Sequence, residues 1–164
     1  MKNTFKKIAA SVMAVVTMSV GTISITVNAT ADANTGNTYI TNFTVPNASM
    51  DWRKYTGVDG IRSKTNATPV YLYPYSGTVS INVRTYGCTR NSFAVNETLN
   101  GNAQSVDAVY CTIGNEYAIR SNIYEDGYRY AGLEFRTTSS YSGTTLGAAW
   151  SPDSIFTDGM EYAY

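Results

Sequence analysis

Apolar and polar residues alternate most regularly between Gly77 and Cys88, GTVSINVRTYGC, where Val79, Ile81 and Val83 interleave with Thr78, Ser80, Asn82 and Arg84. A period of two predicts an extended strand with one buried face. The run before it, Val70 to Tyr75, has the same rhythm, with Val70 and Leu72 against Tyr71 and Tyr73, and Pro74 suits a strand end or edge. Tyr75-Ser76-Gly77 reads as a tight connection, so the two runs are expected to form a hairpin. Val70 and Leu72 would then share the core face with Val79, Ile81 and Val83, and Tyr71 and Tyr73 would point the other way.

Similar runs recur along the chain. Tyr39 to Val45 places Tyr39, Thr41, Phe43 and Val45 on one face and stops at Pro46-Asn47, and residues 49–60 read as an irregular connection that buries Trp52 and Tyr55. Ile61 to Asn66 brings Arg62 and Lys64 to one side of an extended segment. Further strands are predicted around Ser92 to Thr98, over Gln104 to Thr112 with Val106, Ala108 and Tyr110 opposite Asp107, Val109 and Cys111, and over Tyr117 to Ile123. Tyr128 to Thr137 turns Ala131, Leu133 and Phe135 to one face, and Thr144 to Trp150 does the same with Leu146, Ala148 and Trp150. Gly132 and Gly147 read as points where two layers come close. Gly114-Asn115, Glu125-Asp126-Gly127 and Ser151-Pro152-Asp153-Ser154 are turn signals. Past the first thirty or so residues there is no amphipathic helix of about ten residues or more. The pattern specifies an all-β, single-domain antiparallel β-sandwich of seven or eight strands, with a small, partly open β-barrel as the alternative.

The first 33 residues break the pattern. Lys2, Lys6 and Lys7 precede a mostly apolar stretch from Ile8 to about Val27, and small residues follow, the order of a secretory signal peptide. Val27-Asn28-Ala29 and Ala31-Asp32-Ala33 offer cleavage after Ala29, Ala31 or Ala33, with Ala29 and Ala33 preferred. The alternative, an uncleaved membrane anchor, is weakened by the interspersed Thr, Ser and Gly. Residues 1–33 are thus assigned to export and 34–164 to the β-domain, with a secreted, extracellular protein and no membrane span after cleavage as the expectation. Without the three signal lysines, nine Lys and Arg face eleven or twelve Asp and Glu. A mildly acidic domain with scattered charge carries no footprint for nucleic acid.

Export also decides how the cysteines are read. Cys88 and Cys111 are the only two in the chain, both in the exported part, so one disulfide is expected. In the chain-entropy model it would contribute roughly 3 kcal/mol. Two buried thiols are the alternative reading. A zinc site is disfavoured because the chain has no histidine. For the same reason a Ser-His-Asp or Cys-His catalytic system is impossible. Paired carboxylates among Asp51, Asp59, Asp107, Glu116, Glu125, Asp126 and Glu134 would be needed for hydrolysis, yet most of them sit in turn contexts. Asp153, Asp158 and Glu161 lack the alternation of a calcium loop and read as a solvated acidic turn. The Asn-x-Ser/Thr matches at Asn42, Asn47, Asn66 and Asn96 read as ordinary polar turn and strand residues. No enzyme, no cofactor and no metal are expected.

Fourteen tyrosines are the one compositional excess. Tyr71 and Tyr73, with Tyr75 at the turn, would form a row able to stack on sugar rings or meet a protein partner; the alternative is that the rings fill the layers. The candidate binding residues are Arg62, Lys64, Tyr71, Tyr73 and Trp150.

IRSKTNATPVYLY at Ile61 to Tyr73, the cysteine pair, YEDGYRYAGLEF at Tyr124 to Phe135 and GAAWSPDS at Gly147 to Ser154 together resemble small exported proteins of Gram-positive bacteria of the Clostridia and Bacilli type. Those proteins carry an R-x-K-x-N-x-T segment before a V-Y strand and finish on W-S-P-D-S. The resemblance implies an extracellular, β-rich protein with no assigned activity, and some similar proteins look like bacteriocin-type products or companions of export systems. The expected function is a non-enzymatic module binding a glycan, cell-envelope or protein partner; a bacteriocin-like or toxin-like protein is the alternative.

Overall fold

A computed structural model of the chain describes residues 33–89 and 108–163. Ten strands are formed there: β1 (Thr38–Val45), β2 (Arg53–Lys54), β3 (Ile61–Ser63), β4 (Val70–Ser76), β5 (Ile81–Cys88), β6 (Val109–Cys111), β7 (Tyr117–Ile119), β8 (Tyr130–Thr137), β9 (Thr144–Ser151) and β10 (Glu161–Ala163). Sheet A runs β1-β9-β4-β7-β10; sheet B runs β2-β8-β5-β6, with β3 also on β8. Neither closes into a barrel, and no helix occurs among the described residues. The expected strand around 92–98 and the start of the one from Gln104 lie outside the described residues.

The sheets meet through one core. Ile40, Val45, Val70, Leu72, Leu146, Ala148 and Trp150 come from sheet A, and Ile81, Val83, Val109, Leu133 and Phe135 from sheet B, all buried. Burying each large aliphatic or aromatic side chain contributes about 1.5–3 kcal/mol. The inward sets expected for the strands through Leu146-Ala148-Trp150 and Ala131-Leu133-Phe135 are the ones observed.

Several expectations need correction. Val70–Ser76 and Ile81–Cys88 are not a hairpin: β4 lies in sheet A between β9 and β7, and β5 lies in sheet B between β8 and β6. Their aliphatics do share the core, but from opposite layers, because the link at 77–80 crosses between sheets instead of reversing within one. Val79 lies in that link and is only half-buried, so the inward series starts at Ile81.

The disulfide is absent, and both thiols are buried. Cys111 pairs with Ile81 on β5. Cys88 lies at the opposite end of that strand, about 23 Å along at roughly 3.3 Å per residue. Cα atoms must come within about 7 Å to be bridged.

In β1 the period breaks at a bulge between Ile40 and Phe43, where Asn42 adopts φ 52°. The extra residue turns both Ile40 and Val45 inward and leaves Tyr39 outside. In β6, Val109 and Cys111 are buried and Tyr110 is exposed. Finally, β10 pairs with β7 in parallel, so the sheets are not wholly antiparallel.

Candidate functional site

Two stretches far apart in sequence converge at the end of β9. Lys64, just past β3, places its Nζ 2.9 Å from Asp153 Oδ1 and also donates to the Thr68 and Pro152 carbonyls. Both ion-pair side chains are 0% exposed. The second carboxylate oxygen, Oδ2, accepts from the Asn34 amide, the Thr65 amide and the Thr65 hydroxyl at 2.8–3.0 Å. Burial alone would raise Asp153, but the Lys64 ammonium and these donors bring it below the usual carboxylate range. Burial lowers Lys64, and Asp153 opposes that shift. Its three acceptors, the Thr68 and Pro152 carbonyls and Asp153 Oδ1, match the three protons of an ammonium. Asp153 is therefore a buried anchor and not the solvated turn residue expected.

Arg62 extends this clasp. Its guanidinium donates to the Gly36 carbonyl, the Trp150 carbonyl and Asn34 Oδ1, and lies 5.7 Å from the centroid of the Trp150 ring. Trp150 is fully buried in the core. Of the candidate residues named from sequence, Arg62, Lys64 and Trp150 are thus joined in an interior clasp. Lys64 and Trp150 have no surface to offer a partner in this conformation.

Tyr71 and Tyr73 lie elsewhere, on the outer face of sheet A. Since Val70 and Leu72 point inward, the alternate residues of β4 must point out. Across the strands, Tyr73 is in register with Ala149 of β9, which is in register with Tyr39 of β1. Tyr71 is in register with Ala118 of β7, which is in register with Tyr162 of β10. Ala149 and Ala118 face outward yet are almost wholly buried, as expected for small residues beneath rings. Tyr75 lies over Gly147, where an added Cβ would fall 2.6 Å from the ring. Gly132 in sheet B underlies Tyr86 in the same way. Both glycines therefore make room for a ring, not for a second layer.

The result is an aromatic pavement of Tyr39, Tyr71, Tyr73, Tyr75 and Tyr162, continued by Phe156, whose ring centroid is 5.8 Å from that of Tyr162. From β1 to β10 it spans four strand spacings, roughly 19 Å. Tyr39 is 63% exposed, and Tyr75 and Phe156 are also exposed. At one end, Thr35, Asn37, Tyr71, Glu116, Ser154 and Met160 help line a hollow of about 200 Å³. Burial and the neighbouring Glu116 push the Tyr71 hydroxyl up to about 12, so it remains a protonated donor at neutral pH. Sequence reasoning missed Tyr39, Tyr162, Phe156 and Glu116 as members of this face. Tyr39 was hidden by the bulge, and Tyr162 and Phe156 belong to a tail too short to show a period.

The outer face of sheet B is cationic. The Trp52 ring has the guanidinium carbons of Arg84 and Arg136 at 4.2 and 4.5 Å, and Lys54 lies 4.7 Å from the centroid of Tyr86. Glu134 is buried in this layer with Arg84 3.5 Å away. Burial raises Glu134 above the ordinary carboxylate range against the pull of Arg84 and Lys54. Its partners are cations and not a second carboxylate, which is not the geometry of a glycoside-cleaving pair. Beside Trp52, an open hollow of about 450 Å³ is lined by Pro46, Ser49, Met50, Asp51 and Arg53. Among the described residues no group of three His, Cys, Asp or Glu side chains is placed to hold a metal ion, and no helix is long and apolar enough to cross a membrane.

Fold and faces together define a two-sheet β-protein with an aromatic outer surface and a buried ionic clasp. The chain belongs to the family described as protein of unknown function (DUF2712), whose model matches residues 15–154. That span takes in both halves of the clasp and stops short of β10. No curated protein and no solved structure matches the chain.

Proposed function

We propose that the protein is a secreted, non-enzymatic binding module of the Gram-positive cell envelope, and that it takes a cell-wall glycan on the tyrosine face of sheet A. The observation that carries this reading is the pavement itself. Five tyrosines from three strands, β1, β4 and β10, are held over alanine and glycine, outward and partly wet, when a core would have absorbed them. Sugar rings present apolar C–H faces with hydroxyl rims, and tyrosine offers a ring for the one and a hydroxyl for the other. The hollow at Tyr71 and Glu116 adds hydrogen-bonding groups at one end of the row.

The test is co-sedimentation of the exported protein with purified peptidoglycan sacculi. Removing two stacking rings should cost about 1–3 kcal/mol, a loss of roughly 5- to 150-fold in affinity. A Tyr71→Ala, Tyr73→Ala variant should lose binding to that extent while keeping its circular dichroism, and Trp52→Ala, on the opposite sheet, should bind normally. Equal retention of all three proteins would refute the proposal.

A further inference from the structure

The Asp153 carboxylate points at Asn34, near the first of the described residues. The Asn34 amide nitrogen lies 2.9 Å from Asp153 Oδ2, part-buried. The Asn34 side chain is fixed as well, donating to the Ser63 carbonyl at 2.8 Å and accepting from Arg62 at 2.9 Å. In sequence, the residue before it closes Ala31-Asp32-Ala33, small at both positions that an export peptidase reads.

From this coincidence we propose that the bond cut on export is Ala33–Asn34, and that the new α-ammonium of Asn34 docks on Asp153 and completes the clasp. Water adds across the Ala33–Asn34 peptide bond. Ala33 leaves with the carboxylate, and the Asn34 nitrogen keeps the electron pair of the broken bond and takes up protons to become an ammonium. The inference rests on the export part of the proposed function and is independent of glycan binding.

The geometry favours this cut over the other two. Cleavage after Ala29 or Ala31 would leave a neutral peptide N–H against Oδ2. Cleavage after Ala33 puts a cation there, and a charge-assisted hydrogen bond is about twice as strong as a neutral one. The carboxylate can take it: Lys64 occupies Oδ1 and leaves Oδ2 to Asn34 and Thr65. The cut forfeits one backbone bond in this region, from the Thr35 amide to the Ala33 carbonyl. Timing is consistent, since the signal is removed while the chain is still emerging and the ammonium exists before the sandwich closes around Asp153.

The experiment exports the full 164-residue chain from a Gram-positive host and measures the intact mass of the processed protein. The expected species begins at Asn34; one beginning at Thr30 or Asp32 would overturn the proposal. The same protein is then labelled with an amine-reactive acetylating reagent, native and in urea, and its N-terminal peptide is quantified. A docked α-amine should react at least about tenfold more slowly in the native protein. Equal rates would overturn the docking even if the cut is at Ala33. Neither result depends on whether sacculi are bound, so failure here and failure of glycan binding are distinguishable.

Discussion

Replacing Lys64 with methionine tests the clasp with the least change of shape. The substitution keeps a long unbranched side chain and removes a cation that touches Asp153 and two carbonyls, all at the buried end of β9. Breaking a buried ion pair on one side costs about 3–5 kcal/mol, because the remaining charge is uncompensated. Here three donors still hold Asp153 Oδ2, which moderates the loss, while the Thr68 and Pro152 carbonyls lose a buried donor, which adds about 1–3 kcal/mol each unless they repack. A net cost of about 4 kcal/mol is a large share of the 5–15 kcal/mol typical of a domain. In urea, with m near 2 kcal/mol/M, the midpoint should fall by about 2 M. Intrinsic fluorescence is a direct readout because Trp150 is fully buried beside the clasp. Combining Lys64→Met with Asp153→Asn removes both charges, and the double variant should be more stable than the sum of the single losses predicts. A Lys64→Met protein within about 1 kcal/mol of the parent, at unchanged m, would refute the clasp as a stabilising element.

Other consequences can be checked alongside. A reducing agent should leave the thermal midpoint unchanged, and the unfolded protein should titrate two thiols; a native mass lower by two hydrogens would contradict the separation of Cys88 and Cys111. Cys111, whose thiol burial pushes far above its ordinary range, should resist alkylation until the protein unfolds, and rapid native alkylation would count against its place in the core. Gly132→Ala should cost about 1–3 kcal/mol by forcing Tyr86 off its seat, and a neutral result by calorimetry would show that the ring can move freely. For pH, Asp153 is depressed in the folded state, so its contribution is complete above about pH 4 and is lost as pH falls through its folded value. Glu134 is raised, so the folded state binds its proton first and gains stability as pH drops toward 4.5. Midpoints should therefore rise on mild acidification and fall in stronger acid as Asp153 takes up its proton, and Glu134→Gln should flatten the rise.

The strands were readable because the period-two signal is set by one buried face, and Leu146, Ala148, Trp150, Leu133 and Phe135 all obey it. Partnership between strands was not. A short link containing Gly77 suits a hairpin and a crossing between sheets equally, and only long-range packing put β4 in one sheet and β5 in the other. The disulfide failed for the same reason: two cysteines in a chain that opens like a secretory precursor argue for pairing, but position along β5 separates them. At the site, the outward direction of Tyr71 and Tyr73 followed from alternation, whereas the bulge at Asn42 concealed Tyr39. Arg62 and Lys64 stood out as charged residues on one side of an extended segment, which in most proteins is a wet face. Nothing local signals that Asp153, 89 residues on from Lys64, will bury one of them.

Oxidative footprinting of the exported protein, read by mass spectrometry with and without sacculi, tests the assignment of surface and interior in one measurement. The account predicts fast modification of Tyr39, Tyr73 and Tyr75, little at Trp150 and Tyr86, and protection by sacculi confined to the sheet A tyrosines. Modification of Trp150 as fast as Tyr39, or protection that appears at Trp52 and Tyr110 instead, would contradict it.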